Sequence, residues 1–444
     1  MIETRIAAAA RSDAATSNVG RAPDATDFVA IIADLGAEIA RVSASAGIRG
    51  SAFAAVCAAA LERRALHRAV TPSDILRWLV TTDAVPEQGR SDDSFGQPSL
   101  TLFHADRFRI DALFWHTGTT AIHQHGFAGA FAVLAGSSLQ STFSFHPEDA
   151  GDPRFVTGTL TLRASELLQC GAVRRIDPGE ALIHSLFHLD MPSVTLVVRT
   201  HHEEEHGPEY VYYPPGLAVD PTASGPLTKK RLQALDLLIR VNAPDLTSLA
   251  LDLVSYAPIE TVFEALFTLR VKGSRAFEPA LTAAAARFPR HTPALTAAIQ
   301  EESRRALIAH LRRLVGEPDH RLFLALLMNV STRESILDLV RTHAPGDDAV
   351  ETIVRWSREI ASIPRAGLDG LGLDTIGPDR DGAGLAILRW TLTGLTRDEI
   401  LLRASDASIA AALDRLRAHY LFLPLFASSA RANPARPLSP DSSC

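Results

Sequence analysis

Two histidines separated by one residue, His123-Gln124-His125, are the side chains of this chain best spaced to do chemistry. On an extended segment side chains alternate with period two, so both imidazoles leave the same face and can reach one metal ion. The surrounding residues, Trp115-His116-Thr117-Gly118 before the pair and the apolar run Phe127 to Leu134 with Gly136 after it, read as strand, turn and strand. A third ligand is available about sixty residues later, in Pro178-Gly179-Glu180-Ala181-Leu182-Ile183-His184-Ser185-Leu186-Phe187-His188. That segment runs on into the β-branched strand Pro192 to Arg199. A barrel closes distant strands on each other, so either His184 or His188 can complete the set, and His184 is the preferred one.

The elements that must position these residues are short strands. Phe108 to Trp115, Gly129 to Leu134, Gln140 to Phe145, Arg154 to Arg163 and Ser193 to Thr200 are separated by Gly, Pro and Asp, the signature of a sandwich or barrel. Before them, residues 26–96 carry apolar positions at three- and four-residue spacing, broken at Ser45 to Gly50, with a helix start at Thr71-Pro72-Ser73-Asp74. After the prolines of 214–226 the helical period returns. Lys229 to Val241, Leu246 to Tyr256, a segment from Pro258 and Leu307 to Leu314 are candidate helices, and capping boxes start at Ser331 and Thr396. The fold expected is multidomain α+β. An antiparallel β-barrel at 97–220 stands between an N-terminal helical segment (26–96) and a large all-α domain (226–430), with disordered ends at 1–25 and 431–444.

The pattern His123-x-His125, then Phe131-Ala132-Val133-Leu134-Ala135-Gly136 and Leu139-Gln140-Ser141-Thr142-Phe143, resembles the first conserved block of the cupins. More narrowly it is similar to the thiol dioxygenase branch typified by cysteine dioxygenase, in which three histidines bind ferrous iron. The resemblance spans roughly residues 98 to 215 and implies a cupin barrel, Fe(II), and His184 as third ligand, with His188 a polar residue behind the ligands. Most other cupins carry a glutamate shortly after the pair; here Gly126 to Ala130 contains no carboxylate. The chain also departs from cysteine dioxygenase. Ala130 stands where that enzyme has a cysteine crosslinked to a tyrosine, Arg199 falls near the tyrosine, and Thr195 and Val197 replace its serine-histidine pair.

An all-imidazole set is neutral, so a ferrous ion there keeps its positive charge and favours an anionic co-ligand. Zinc or nickel suits the same donors. Arg199, on the strand after the third ligand, and Arg107 and Arg109, at the start of the strand leading to Trp115, are candidates to hold a substrate carboxylate, with a solvated edge as the alternative for the last two. His188 and Arg199 are the expected catalytic residues besides the ligands. His116, His146 and the run His201 to His206 read as strand-end or surface residues, and Tyr210, Tyr212 and Tyr213 as a fixed strand exit.

The expectation is therefore a mononuclear non-haem iron oxygenase acting on a small anionic thiol or carboxylate with dioxygen. Two rivals are a non-catalytic metal- or ligand-binding sensor whose helical domain binds a protein, and a metal-dependent isomerase or hydrolase. A homodimer, or a protein partner held by the helical domain, belongs to the same expectation, as does a lid of helices over the barrel mouth. With 46% hydrophobic and 21% charged residues and a formal charge of -7, the 444-residue chain shows no bulk-charge affinity for nucleic acid. Three cysteines, Cys57, Cys170 and Cys444, form no framework, and no apolar stretch reaches membrane-spanning length, so a reducing cytoplasmic setting with no membrane is expected. No GxGxxG, Walker, CxxC or GxSxG motif competes.

Overall fold

Sequence periodicity and caps produce the N-terminal helices where they were expected. A computed structural model describes residues 25–88, 96–116, 118–148, 151–201, 204–223, 225–364, 366–368, 371, 373, 383–403 and 407–427. The expected disordered ends lie outside these residues, except that helix α1 (Ala25–Ala46) takes in residue 25. It is followed by α2 (Gly50–Arg64) and α3 (Pro72–Thr81). The start of α3 is the reciprocal cap read from Thr71-Pro72-Ser73-Asp74. Thr71 Oγ1 accepts from the Asp74 N–H, and the Asp74 carboxylate accepts from the Thr71 N–H at 2.9 Å.

Eleven strands follow among the described residues: β1 (Ser99–His104), β2 (Phe108–Trp115), β3 (Ile122–His125), β4 (Gly129–Ala135), β5 (Ser138–Pro147), β6 (Phe155–Leu168), β7 (Val173–Ile176), β8 (Gly179–His188), β9 (Ser193–Thr200), β10 (Val211–Tyr213) and β11 (Leu217–Val219). All neighbouring strands pair antiparallel. One sheet has the order β1-β2-β9-β4-β7; the other, β10-β11-β6-β5-β8-β3, closes on itself through β10 and β3.

Alternation assigns each sheet two jobs. In the five-stranded sheet Ile110, Ala112, Ala130, Ala132, Leu196 and Val198 pack against Phe28, Leu35, Ile39, Phe53 and Leu61 of the N-terminal helices. The alanines leave room for α2 to approach. Gly129 has a stricter reason, since a Cβ there would lie 1.9 Å from the Val198 carbonyl oxygen. The opposite face carries Phe131, Val133 and Val197, which meet Leu168, Ile176 and Leu186. In the closed sheet Ile122, Phe145, Ile183, Tyr212 and Ala218 form a small core of their own.

The helical region comprises α4 (Pro226–Arg240), α5 (Leu246–Tyr256), α6 (Ile259–Val271), α7 (Phe277–Arg287), α8 (Thr292–Leu314), α9 (Pro318–Asn329), α10 (Arg333–His343), α11 (Ala349–Ala361), α12 (Ala383–Leu392), α13 (Arg397–Arg403) and α14 (Ala407–Ala418). Two expectations shift here. Leu307 to Leu314 is only the last part of the 23-residue α8, because Ala, Gln and Glu upstream favour helix without adding apolar period. The cap of α10 is Thr332, whose hydroxyl accepts from the Ser335 N–H, while Glu334 pairs with Arg333 instead of closing a box on Ser331.

These helices pack on the outer face of the closed sheet. Leu139, Phe187 and Leu189 enter one cluster with Ile308, Leu311 and Leu322, and Phe155, Leu217 and Val219 enter another with Val262 and Phe263. Two buried arginines reinforce the seam. Arg312 donates to the carbonyl of His188 through Nε at 2.8 Å and also through Nη2, and Arg321 Nη1 donates to the carbonyl of Leu189 at 2.7 Å. Among the described residues no helix is long and apolar enough to cross a membrane.

Candidate metal centre

Strands β3 and β8 pair with His123 directly opposite His184, and the register then slips so that His125 partners Gly179, which takes φ +62°. A slip of this kind re-aims side chains at a strand edge. Ile122 and Ile183 turn into the core of the closed sheet, and His123, His125 and His184 leave by the other face, toward the five-stranded sheet. The ligand atoms offered by these three histidines all lie within 4.8 Å of one another. The Nε2 atoms of His125 and His184 are 3.0 Å apart.

His123 Nδ1 lies 2.9 Å from the carbonyl oxygen of Ala121 and donates to it, which leaves the Nε2 lone pair for an ion. His184 Nδ1 is buried with no hydrogen-bond partner among the described residues. Burial is the main force holding all three imidazoles neutral, lowering His123 below the usual histidine range and His125 and His184 well below it. The neighbouring imidazoles add to this at His125, and His123 does so at His184. Neutral, convergent nitrogen donors in a buried recess suit a first-row divalent ion, so the residues present fit such a group.

The histidines form one wall of a cavity of about 530 Å³. Its other walls include Leu113, Trp115, Phe127, Phe131, Ile176, Leu186, Thr195, Val197 and Arg199. Every lining residue lies between 96 and 221, so none comes from α4 to α14. Those helices back the closed sheet, where Leu139, Phe187 and Leu189 present their apolar surface, and α8 comes up to Thr119 to Ala121 beside the cavity through Arg305 and Ala309.

The other residues singled out from sequence are distributed unequally. Arg199 is on the cavity face of β9 with Thr195 and Val197, its guanidinium 5.1 Å from the centre of the Phe127 ring. Its Nε donates at 2.9 Å to the buried carboxylate of Asp111, and Arg109, directly opposite on β2, donates to the same oxygen at 2.9 Å. Arg109 does not line the cavity. Arg107 is exposed in the β1–β2 turn and donates to the Ile48 carbonyl at 3.1 Å, so the structure places it against the N-terminal helices and away from the histidines.

His188 is fully buried behind Trp115, stacked on it at 4.5 Å between ring centres, and does not line the cavity. Its Nδ1 is bonded to the hydroxyls of Ser138 at 2.8 Å and Ser193 at 2.7 Å. Ala130 packs against the N-terminal helices, on the face of its sheet opposite to Arg199, so these two positions are not placed to form a cysteine–tyrosine-type pair. His116 lies exposed at the cavity opening, whereas His146 is exposed away from it. Residues 202 and 203 of the acidic run are outside the described residues.

Three contributors escaped the sequence reading. Asp111 anchors both arginines and accepts from Thr101 Oγ1 at 2.9 Å. Trp115, held by donation from Nε1 to Thr195 Oγ1 at 2.9 Å, supplies the flat wall. Glu209 lines the cavity and accepts from the Gly126 N–H at 3.0 Å. Only Asp111 carried a signal, an acid two residues from Arg109 in a mostly apolar strand.

No family model matches the sequence, and no curated protein matches it. Solved structures do resemble parts of it. A hydroquinone 1,2-dioxygenase from Sphingomonas sp. TTNP3 with 4-hydroxybenzoate bound aligns at 12% identity over 24% of this chain and 68% of its own, with a TM-score of 0.20. A cupin-2 domain containing protein from Shewanella frigidimarina NCIMB 400 aligns at 12% identity over 31% of this chain and 99% of its own, TM-score 0.18. One chain from the crystal structures of the DMSP lyases RdDddP and RnDddQII aligns at 13% identity over 41% of this chain and 96% of its own, TM-score 0.23. Likeness at this level says nothing about activity.

Proposed function

We propose that the chain is a mononuclear metal-dependent oxygenase of cupin type that acts on a small anionic metabolite, with ferrous iron held by His123, His125 and His184. The observation that carries this reading is that the three-histidine cluster and one guanidinium, Arg199, face the same cavity. When bound, ferrous iron supplies open positions for substrate and dioxygen and a spin-allowed route between them.

The protein's part is positional. The histidines enter neutral and prearranged, so no proton has to leave the ligands before an ion is held. Arg199, fixed by Asp111 and Phe127, presents donors that orient a carboxylate. Trp115, Phe131 and Val197 line the cavity with apolar surface, which strengthens charge interactions beside it.

The test is oxygen consumption by protein loaded anaerobically with ferrous iron and then given candidate anionic substrates. Uptake that requires both iron and Arg199 supports an oxygenase. Turnover that proceeds without dioxygen assigns the site to isomerisation or hydrolysis, and binding with no turnover of any candidate assigns it to a sensor.

A further inference from the structure

The same cavity narrows the substrate class, an inference that rests on the reading above in placing the substrate beside the histidines. At about 530 Å³ it lies within the usual range of small-molecule sites and is far larger than an amino-acid-sized thiol would fill. The apolar lining around the histidines includes Leu113, Trp115, Phe131, Ile176, Leu186 and Val197, and Trp115 offers a flat indole face. That face is not free to swing away. Its Nε1 is tied to Thr195, and its back is covered by His188, itself bonded to two serine hydroxyls.

The charged groups at the cavity are equally specific. Arg199 faces it, with Asp111 fixing its guanidinium from the side shared with Arg109. Glu209, a carboxylate on the cavity wall, accepts the Gly126 N–H through Oε1 at 3.0 Å. A thiol amino acid would leave most of the apolar walls wet. A ring-bearing acid would stack on Trp115, displace that water and put one negative charge at Arg199.

We infer that the cavity is built for a ring-bearing monocarboxylate, with the ring between Trp115 and Phe131 and the carboxylate at Arg199. The full-length protein, first without metal and then loaded with zinc, would be titrated with phenylacetate, 3-phenylpropanoate, cysteine and 3-mercaptopropanoate, followed by calorimetry and tryptophan fluorescence.

The expected result is that one of the aryl acids binds at least about tenfold more tightly than either thiol, as the burial of a ring should deliver. Arg199→Leu should weaken the aryl acid roughly tenfold or more. Val197→Phe, which fills the cavity with an apolar side chain and leaves the charges alone, should weaken the aryl acids while sparing the thiols. Thiols binding as well as or better than the aryl acids, or no binding by any of the four, would overturn the inference. Aryl-acid binding by a protein that takes up no metal would leave the inference standing and remove the oxygenase reading, so the two failures are separable.

Discussion

His188 shows what burial does to a single residue. It sits four residues beyond His184 on β8, has no exposed surface, and is held neutral by burial and by the Arg312 guanidinium, which together push its pKa down to about 3. An unfolded histidine titrates near 6.5, so below that pH the unfolded chain gains a proton that the folded chain refuses. Its contribution to stability is thus complete above about pH 6.5 and is lost as the pH falls toward 3, at up to about 1.4 kcal/mol per pH unit. His188→Asn keeps a polar atom near Ser138 and Ser193 but cannot titrate. Urea unfolding should show the stability gap between wild type and His188→Asn moving by about 2 kcal/mol in favour of the variant between pH 7 and pH 5. A gap that stays constant over that interval would mean that folded His188 takes up its proton as readily as the unfolded chain does. His123 and His125 were legible in the sequence because two-residue spacing on a strand has one geometric meaning. His184 is preferred there over His188, but spacing alone does not separate the two, since both leave β8 on the same face and only Trp115, on another strand, covers His188.

At the scale of elements, the joint between β8 and α8 ties the helical region to the strand that carries the third histidine. Arg312, buried and with its pKa depressed to about 10, spends its donors on the His188 carbonyl and lies over the Phe187 ring. Arg312→Met leaves that carbonyl buried without a donor and should lower unfolding free energy by about 1–3 kcal/mol, read from denaturant midpoints. Tryptophan emission should also change, because the loosened end of β8 carries the ring stacked on Trp115. An unaltered midpoint and spectrum would show that the joint is only apolar. Strands β2 and β9 were readable to the residue, and so was α5, because each has strong period and clear breakers. The end of β8 met by Arg312 was not readable as a joint. A helix bearing Arg304, Arg305, Arg312 and Arg313 reads as a solvated face, yet the first three are buried against carbonyls or carboxylates contributed in part by other elements.

Across the whole molecule, helices cover both outer faces of the β region, and the histidine site is enclosed between the two sheets. Sequence periodicity recovers this order of helices, strands and helices, because each region changes its apolar period. The closure of one sheet through β10 and β3 is invisible in it, since Val211 to Tyr213 is too short to signal a strand. Everything proposed about activity depends on one ion being held by residues that lie about sixty positions apart in the chain. Cobalt(II) titration of metal-free protein, followed by visible absorption and native mass spectrometry, measures this most directly. One ion per chain is expected, with affinity falling by more than about 100-fold in each of His123→Ala, His125→Ala and His184→Ala while the far-ultraviolet spectrum is kept. Binding that survives all three substitutions, or that is lost with His188→Ala but not with His184→Ala, would contradict the account.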